Sequence, residues 1–314
     1  MFPTNVQFSF HEGLPEGLTF HFDAGIFHDP KHLILQSPEG WNTFYIRSDR
    51  FVEGIVHFNV QEQEAKSPFR SPFGSFLFSD FINQATLHEF IGFCESRLKD
   101  KNVNVIHLKH QPELYAPEKN LDAEIALQAA GYKIQSAETS AIIPVTGKSF
   151  ESGLHRSEKK RLRKCREAEL KFEVLSSGQL QKIYTFLEAC RAEKGYAVSM
   201  SFAEIEKLAN TFPERVLLTA VSDKNQLVAA NISIRVYENV LYNFYHDHSP
   251  DYDHVSPVVL LNEGLYQVCQ QQKITLLDLG TSNPDGALSE SLLNFKLHLG
   301  ARPSRKLTFT KKIA

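Results

Sequence analysis

The spacing of apolar residues in the carboxy-terminal half of the chain switches several times between the period of a helix and that of a strand. A short strand is predicted over 171–175, and two helices follow it over 179–194 and 202–211. The first helix carries apolar residues at helical intervals, at Leu180, Ile183, Tyr184, Leu187 and Cys190. This half of the chain therefore opens with one strand and two helices.

Three segments with strand character come next, over 215–223, 226–237 and 239–248. The turn signals Asp223-Lys224-Asn225 and Glu238-Asn239 separate them. Short turns between consecutive strands predict an antiparallel meander.

A helix over 258–271, a buried strand over 274–280, a shorter helix and a last strand over 305–313 complete the pattern. Gly300 marks the end of the shorter helix, because a glycine commonly follows the last helical residue. The resulting order, β-α-α-β-β-β-α-β-α-β, resembles the GNAT acyltransferase fold. We therefore predict the α/β class, with mixed sheets.

The amino-terminal half of the chain echoes the carboxy-terminal half. Residues 44–60 and 218–236 both read as strand, Ser-Asp turn and strand. Further on, a helix over 86–99 and a strand over 102–109 precede another helix that ends in glycine. Self-similarity of this kind indicates an internal repeat. Chance alignment of two generic α/β segments is the alternative.

The repeat predicts two tandem GNAT-like (acyl-CoA N-acyltransferase) units, over 1–150 and 151–314. The boundary is placed at 145–155, where glycine and serine follow a predicted strand. A basic junction helix is predicted over 154–169.

Composition narrows the class of protein. The chain has 314 residues, of which 42% are hydrophobic, enough to bury the cores of two domains. A formal net charge of −3 argues against a protein that coats nucleic acid with its whole surface. No apolar run approaches the length of a membrane span, and no signal-peptide pattern opens the chain, so we expect a cytoplasmic location. Four widely spaced cysteines favour reduced thiols, and no metal site is predicted from them.

Lys296 stands beside the apolar stripe of the last helix, which is formed by Leu292, Phe295 and Leu299. One interpretation is that the side chain lies along apolar surface while its ammonium reaches water. The other is that the ammonium points into a cleft.

Asp278 ends an apolar strand, on the face opposite to Leu277 and Leu279. An unpaired carboxylate in such a place is costly, so it needs a partner or a cleft. Asp278 either binds Lys296, orients a substrate amine, or caps the loop that follows.

The segment 242–254 is rich in titratable side chains. Strand alternation predicts one face with Tyr242, Phe244, His246 and His248, and another with Asn243, Tyr245 and Asp247. The acyl carbonyl and the attacking amine meet at the end of this strand in GNAT units, so the resemblance makes His246, Asp247 or Tyr245 a candidate base. A metal site at His246, His248 and His254 is an alternative, because His-x-His spacing can chelate.

The segment 251–260, just before a predicted helix, contains no glycine. GNAT enzymes that use coenzyme A usually have a glycine-containing loop here, whose backbone N–H groups hold the pyrophosphate. An ordinary acetyl-CoA enzyme is therefore disfavoured. The amides of Ser256 and Val258 remain candidate groups for binding a donor.

The junction segment holds seven Lys or Arg residues between 156 and 166. It is either a solvated amphipathic helix or a surface for phosphate or the acceptor stem of a nucleic acid. Arg163 and Arg166 are the preferred contacts in the second case.

Three segments, in order, resemble the FemAB-like transferases, which are built of two GNAT units. They are SPFRSPFGSF (67–76), HRSEKKRLRKCREAELKFEV (155–174), and LLDLGTSNPDG with the later LLNFKLHLGA. The family includes ligases that add amino acids from aminoacyl-tRNA to the peptide of cell-wall precursors. Those ligases often carry a helical hairpin arm in the second unit, and nothing between 176 and 300 is long enough for one.

The resemblance implies an acyl or aminoacyl transferase acting on a small-molecule or peptide amine acceptor, in a ternary complex. It implies acyl-CoA or aminoacyl-tRNA as donor substrate, no tightly bound cofactor, and tRNA as a possible partner. Lys296 would bind a substrate and stabilise the oxygen that becomes negative during transfer. Arg70, in the first marker segment, would contact substrate. The rival from another class is a catalytically silent binding protein for a peptide or peptidoglycan-type ligand.

Overall fold

The computed structural model describes residues 7–195 and 197–313. Its strands, in chain order, are β1 (Ser9–Glu12), β2 (Thr19–Phe20), β3 (Trp41–Ser48), β4 (Phe51–Gln61), β5 (Glu64–Ser67), β6 (Leu77–Phe78), β7 (Val105–Lys109), β8 (Lys133–Pro144), β9 (Lys171–Leu175), β10 (Val216–Asp223), β11 (Gln226–Tyr237), β12 (Val240–His248), β13 (Leu276–Thr281) and β14 (Arg302–Lys312). Its helices are α1 (Pro30–Gln36), α2 (Gln84–Lys99), α3 (Pro117–Ala129), α4 (Phe150–Gly153), α5 (Arg156–Glu167), α6 (Leu180–Glu193), α7 (Phe202–Thr211), α8 (Pro257–Gln271) and α9 (Glu290–His298).

These elements divide into two compact units. The first runs to Glu138 and includes the chain again from Arg305, and the second spans Thr139–Ser304. The repeat boundary near residue 150 stays a prediction about the sequence, because compactness and internal repetition are different properties.

The first unit contains a mixed sheet in the order β1-β3-β4-β5-β7-β14, with β2 and β6 added beside β4. The pairs β3–β4 and β4–β5 are antiparallel, and β5–β7 is parallel. Its core is rich in phenylalanine, including Phe44, Phe58, Phe90 and Phe309.

The second unit contains a mixed sheet in the order β8-β13-β12-β11-β10-β9. All neighbouring strands are antiparallel except β12 and β13, which run parallel because α8 crosses between them. The predicted order of strands and helices in this half is confirmed. Gly300 adopts a φ of +89° two residues after α9, as a helix-ending glycine should.

The last strand of the second predicted repeat, β14, pairs in the first compact unit. The last strand of the first predicted repeat, β8, pairs in the second compact unit. β14 runs antiparallel to β7 in the first unit, from Thr308 opposite Lys109 to Lys312 opposite Val105. The end of β8 runs antiparallel to β13 in the second unit, where Leu277 pairs with Ile143. The periodicity of a strand does not specify its neighbour, so this exchange could not be seen in the sequence.

Two apolar clusters cover the two faces of the second sheet. On one face, α6 and α7 pack against Leu218, Ala220, Ile232 and Tyr245. On the other face, α5 and α8 contribute to a cluster that contains Val228, Leu241 and Leu277. Helix α8 approaches β9 so closely that a Cβ on Gly264 would lie 2.2 Å from the ring of Phe172. Only glycine fits there.

Among the described residues, no helix combines the length and the apolar character needed to cross a bilayer.

Candidate active site

Lys296 is buried, with 4% of its surface exposed. Its Nζ donates to the carbonyl oxygens of Gly280, at 3.0 Å, and Thr281, at 2.7 Å. Helix α9 brings it there, beginning at Ser289, whose hydroxyl accepts from the Leu292 amide. The interpretation in which the ammonium reaches bulk water is therefore wrong.

Asp278 binds the same glycine from its other side. Its Oδ1 accepts from the Gly280 N–H at 2.7 Å, and the side chain is 1% exposed. Gly280 has a φ of +76°, in the left-handed region that favours glycine. Asp278 thus fixes the backbone of Gly280 near the end of β13, while its predicted roles toward Lys296, a substrate amine or the following loop stay predictions.

Strands β12 and β13 pair over only three residues, ending with Tyr242 opposite Asp278. Beyond that pair the two strands no longer pair with each other, although β12 continues to His248 and β13 to Thr281. The carbonyls that hold Lys296 lie in this part of β13. The two strands thus part beside the buried ammonium.

A β-bulge in β12 corrects the predicted alternation. Ile232 pairs with Tyr245 and Ser233 with Asn243, so Phe244 is the extra residue. Tyr245 packs in the α6 cluster, whereas the side chain of Asn243 bonds to Asn231 on the opposite face. The prediction that Asn243 and Tyr245 share a face is wrong, because the inserted residue reverses the alternation.

A buried row of polar side chains crosses the strands on the face opposite α6. Ser233 Oγ donates to Asn231 Oδ1 at 2.6 Å, and Asn231 Nδ2 donates to Asn243 Oδ1. All three residues are at most 2% exposed. Asn243 Nδ2 is buried and has no hydrogen-bond partner in the described part of the chain. Sequence analysis missed this row, since lone Asn and Ser residues in strands carry no recognisable spacing.

His246 lies opposite Asn231 in the register. The residue is half-buried, and its Nδ1 is shielded from solvent without a partner among the described residues. Burial, with the positive charge of Lys296 as the second cause, lowers the pKa of His246 from 6.5 to about 3. The ring is therefore neutral at physiological pH and has an acceptor or donor nitrogen to offer a ligand.

Tyr245 is directed elsewhere. Its hydroxyl bonds to Ser199 Oγ and accepts from the Met200 amide at 3.1 Å, and the Arg191 guanidinium lies 5.0 Å from its ring. Burial raises its pKa above the usual value. These contacts tie Tyr245 to the segment between α6 and α7, so the structure does not bring it together with Lys296.

The histidines of the proposed metal alternative have separate partners. His248 Nε2 lies 2.7 Å from Asp253 Oδ1, and His254 Nδ1 lies 3.1 Å from the Asp251 carbonyl. Within residues 7–195 and 197–313, no three His, Cys, Asp or Glu side chains are placed to hold a metal.

The start of α8 offers fewer amides than the sequence suggested. The Ser256 N–H already donates to the Tyr252 carbonyl at 3.0 Å, so the expectation of an available amide fails there. Ser256 has a φ of +57°, and Pro257, which has no N–H, occupies the first turn. Val258 is buried at the second helical position.

Helix α5 buries Leu162 and Cys165 and exposes its cations. Arg166 bridges Glu151, at 3.1 Å, and Glu263, at 2.7 Å. Arg163 is 71% exposed, with Glu167 at 3.3 Å. Arg166 is thus engaged within the unit, while Arg163 faces solvent.

Arg70 belongs to the first unit, where Gln36 Oε1 accepts from the amides of Arg70, at 2.9 Å, and Ser71, at 3.0 Å. The loop that carries it is thus fixed by a buried glutamine. The Arg70 side chain is exposed.

Comparisons with known proteins agree with this architecture. Residues 154–289 match the family model of the acetyltransferase (GNAT) domain. The crystal structure of FemX is 13% identical and superimposes with a TM-score of 0.71, covering 92% of each chain. The structure of L-PGS from Bacillus licheniformis is 13% identical, with a TM-score of 0.57 over 90% of this chain and 92% of that one.

A tandem GNAT protein from the clavulanic acid biosynthesis pathway is 10% identical, with a TM-score of 0.51 over 87% of this chain and 83% of that one. No curated protein matches the chain at a significant level. The carboxy-terminal unit therefore carries a GNAT domain, and the chain has the fold of proteins built from paired GNAT units. The resemblance to FemAB-like proteins is confirmed.

Proposed function

We propose that the second unit transfers an acyl or aminoacyl group to an amine acceptor, with Lys296 as the residue that stabilises the transition state. The observation that carries the proposal is the buried Lys296 ammonium beside the parting of β12 and β13. Burying a lysine ammonium costs free energy unless hydrogen bonds compensate for the lost solvation. A lysine kept in such a place is therefore a candidate for a catalytic role.

Transfer of an acyl group to an amine places negative charge on the carbonyl oxygen of the donor. A cation held in advance near that oxygen lowers the barrier, because it does not have to reorient during the reaction. The carbonyls of Gly280 and Thr281 hold Lys296 in this way, and Asp278 fixes Gly280. Asp278 is thus a positioning residue for the ammonium.

The attacking amine must also lose a proton. His246 is the proposed acceptor, because its shielded Nδ1 has no hydrogen-bond partner among the described residues. Asn243 Nδ2, in the same buried row, is the proposed donor to a substrate carbonyl. Tyr245 supports the strand from the opposite face and takes no direct part.

Acyl-CoA is the donor class to test first, because it is the usual donor of the GNAT fold. With the Ser256 amide occupied and Pro257 lacking one, Val258 and the exposed cations of α5, Arg163 foremost, are the proposed phosphate contacts. Aminoacyl-tRNA is the second donor to test. Arg70, which belongs to the first unit, stays a proposed substrate contact.

The direct experiment incubates the purified protein with a panel of acyl-CoAs, then aminoacyl-tRNAs, and with free amines and amine-bearing peptides as acceptors. Mass spectrometry detects the amide product. The proposal predicts a product with at least one donor and acceptor pair, formed at a rate proportional to protein concentration.

A catalytically silent binding protein is the second candidate, and it is favoured by the occupied Ser256 amide and by Pro257, which has no N–H. Such a protein would raise its unfolding temperature with a peptide or peptidoglycan-type ligand while forming no product from any donor.

A further inference from the structure

The two hairpins β3–β4 and β10–β11 each contain one β-bulge, at the same point of the fold. Ile46 pairs with Gly54 and Arg47 with Val52, which leaves Glu53 as the extra residue. In the second unit, Val221 pairs with Ala229 and Ser222 with Leu227, which leaves Val228. Glu53 and Val228 are therefore equivalent positions of the duplicated hairpin.

Both residues are buried, Glu53 at 1% and Val228 at 0% exposure. Val228 fills an apolar core, so the bulge needs no charge to be stable. Burying a carboxylate costs roughly several kcal/mol of solvation free energy per ion, unless hydrogen-bond donors surround it. Because Val228 occupies the equivalent position in the second unit, the carboxylate of Glu53 is not needed for the bulge to form.

Three side chains donate to Glu53. His21 Nδ1 donates to Oε1 at 2.6 Å, Ser79 Oγ donates to Oε2 at 2.5 Å, and Ser48 Oγ also donates to Oε1. These hydrogen bonds hold the Glu53 carboxylate in one position. It also fixes the imidazole, because the proton on Nδ1 faces the carboxylate and leaves the lone pair on Nε2.

The His21 ring is partly open to solvent, with 28% of the side chain exposed. One face stacks on Phe51, with the centroids 3.7 Å apart, and Phe81 lies at 5.3 Å. Nε2 has no hydrogen-bond partner among the described residues. The ring is therefore held against two aromatic side chains, with part of the His21 side chain open to solvent.

We propose that His21, oriented by Glu53, is a second proton-accepting site, which takes a proton from a hydroxyl, amine or water bound at the solvent-exposed part of its ring. A carboxylate paired with an imidazole is the arrangement that general bases use, with the carboxylate setting the tautomer. His21 is the catalytic residue and Glu53 the positioning residue. The site uses no residue of the second unit and stands independently of the acyl transfer proposed there.

Two other cations lie near this cluster. The Arg50 guanidinium is 5.3 Å from the centre of the Phe51 ring, and Lys119 donates to the Ser79 carbonyl at 2.8 Å and pairs with Asp80. A pH profile is therefore compared between the parent and variants of the His21–Glu53 pair.

Hydrolysis of p-nitrophenyl acetate by the full chain tests the proposal. Nε2 of His21 takes a proton from water as the water oxygen bonds to the ester carbonyl carbon. The bond to p-nitrophenolate then breaks, leaving acetic acid, and both the acetic acid and the imidazolium release their protons to solvent. General-base catalysis of this kind contributes about 10²–10⁴-fold.

We expect His21→Gln to lower the rate by about 100-fold. Glu53→Gln should lower it less and shift the midpoint of the pH–rate profile, which a purely structural residue would not do. His88→Gln, an exposed histidine of the same unit, is the control and should match the parent. The variant His21→Phe with Glu53→Val copies the apolar bulge and should stay folded without activity. A His21→Gln protein that hydrolyses the ester as fast as the parent overturns the proposal.

Discussion

Asp278 and Lys296 bind the two sides of one glycine residue. The Gly280 N–H donates to Asp278 at 2.7 Å, and the Gly280 carbonyl accepts from Lys296 at 3.0 Å. The conformation of this residue therefore fixes the direction of the buried ammonium. Hydrogen bonds link Asp278, Gly280 and Lys296, so a change at the end of β13 should also affect the proposed chemistry.

Gly280→Ala should weaken the hydrogen bonds that link Asp278, Gly280 and Lys296. A φ of +76° costs an alanine roughly 1–2 kcal/mol, so the free energy of unfolding should fall by about that amount. Relaxation of the strain would turn the carbonyl away from Lys296 and lower transfer as well. Urea unfolding measures the first effect. Gly178→Ala is the control, because its Cβ would meet nothing closer than 3.8 Å, and equal losses in the two variants would contradict the account.

Asn243→Leu removes a buried amide whose Nδ2 lacks a partner in the described chain. If that group binds a substrate carbonyl, kcat should fall by about 100-fold, as when an oxyanion donor is lost. Stability should change little, because Asn231 keeps its bond to the Tyr245 carbonyl at 3.2 Å. Steady-state kinetics would separate the effects, with Thr219→Val as control, because Thr219 is also buried and its Oγ1 donates to Asn231 Oδ1 at 3.5 Å. A parent-like kcat in Asn243→Leu would show that the amide is structural.

Buried histidines should make the first unit sensitive to acid. Burial is the main cause that lowers the pKa of His28 from 6.5 to about 3, and of His32 and His110 to about 4. The unfolded chain takes up protons below pH 6.5 while the folded chain does not. Stability should therefore be level above pH 6.5 and fall toward pH 4, by up to about 1.4 kcal/mol per pH unit for each histidine.

Unfolding free energies measured between pH 7.5 and 4.5 test this slope. His28→Phe should reduce it, because neither ring nitrogen of His28 has a partner among the described residues. The exposed His88 supplies the control substitution. A slope that His28→Phe leaves unchanged would mean that other groups cause the acid sensitivity.

The basic helix α5 should bind polyanions through Arg163 more than through Arg166. Arg163→Ala should weaken binding to a single-stranded RNA oligonucleotide and reduce the slope of log K against log salt by about 1. Arg166→Ala should mainly destabilise the protein, because it leaves Glu151 and Glu263 unpaired. Fluorescence anisotropy between 50 and 200 mM salt measures the affinity. If α5 contacts several phosphates, the affinity should fall by about tenfold or more over this range. No binding at low salt would end the assignment.

Much of the second unit could be predicted from the sequence. The strand 171–175 and the helix 202–211 coincide with β9 and α7, because their apolar spacing and turn residues leave few alternatives. The bulge at Phe244 could not, since an inserted residue looks like any other strand residue. The bulge reverses the alternation of side chains along β12, and the sequence therefore predicts the wrong face for Asn243.

The candidate site was only partly predictable. The sequence places Lys296 at the edge of an apolar stripe, and a long flexible side chain can leave such an edge in either direction. The carbonyls that choose its direction belong to another element, β13. The pairing of His21 with Glu53 joins residues 32 positions apart, and neither lies in a motif.

The rate of product formation by Lys296→Met, with the donor and acceptor pair found for the parent, tests the central claim most directly. We predict a kcat lower by about 10²–10³-fold, partial recovery in Lys296→Arg, and no change in Lys182→Met, an exposed lysine of the same unit. Far-ultraviolet circular dichroism confirms that each variant is folded. A folded Lys296→Met protein with the kcat of the parent would contradict the claim that this buried ammonium stabilises the transition state.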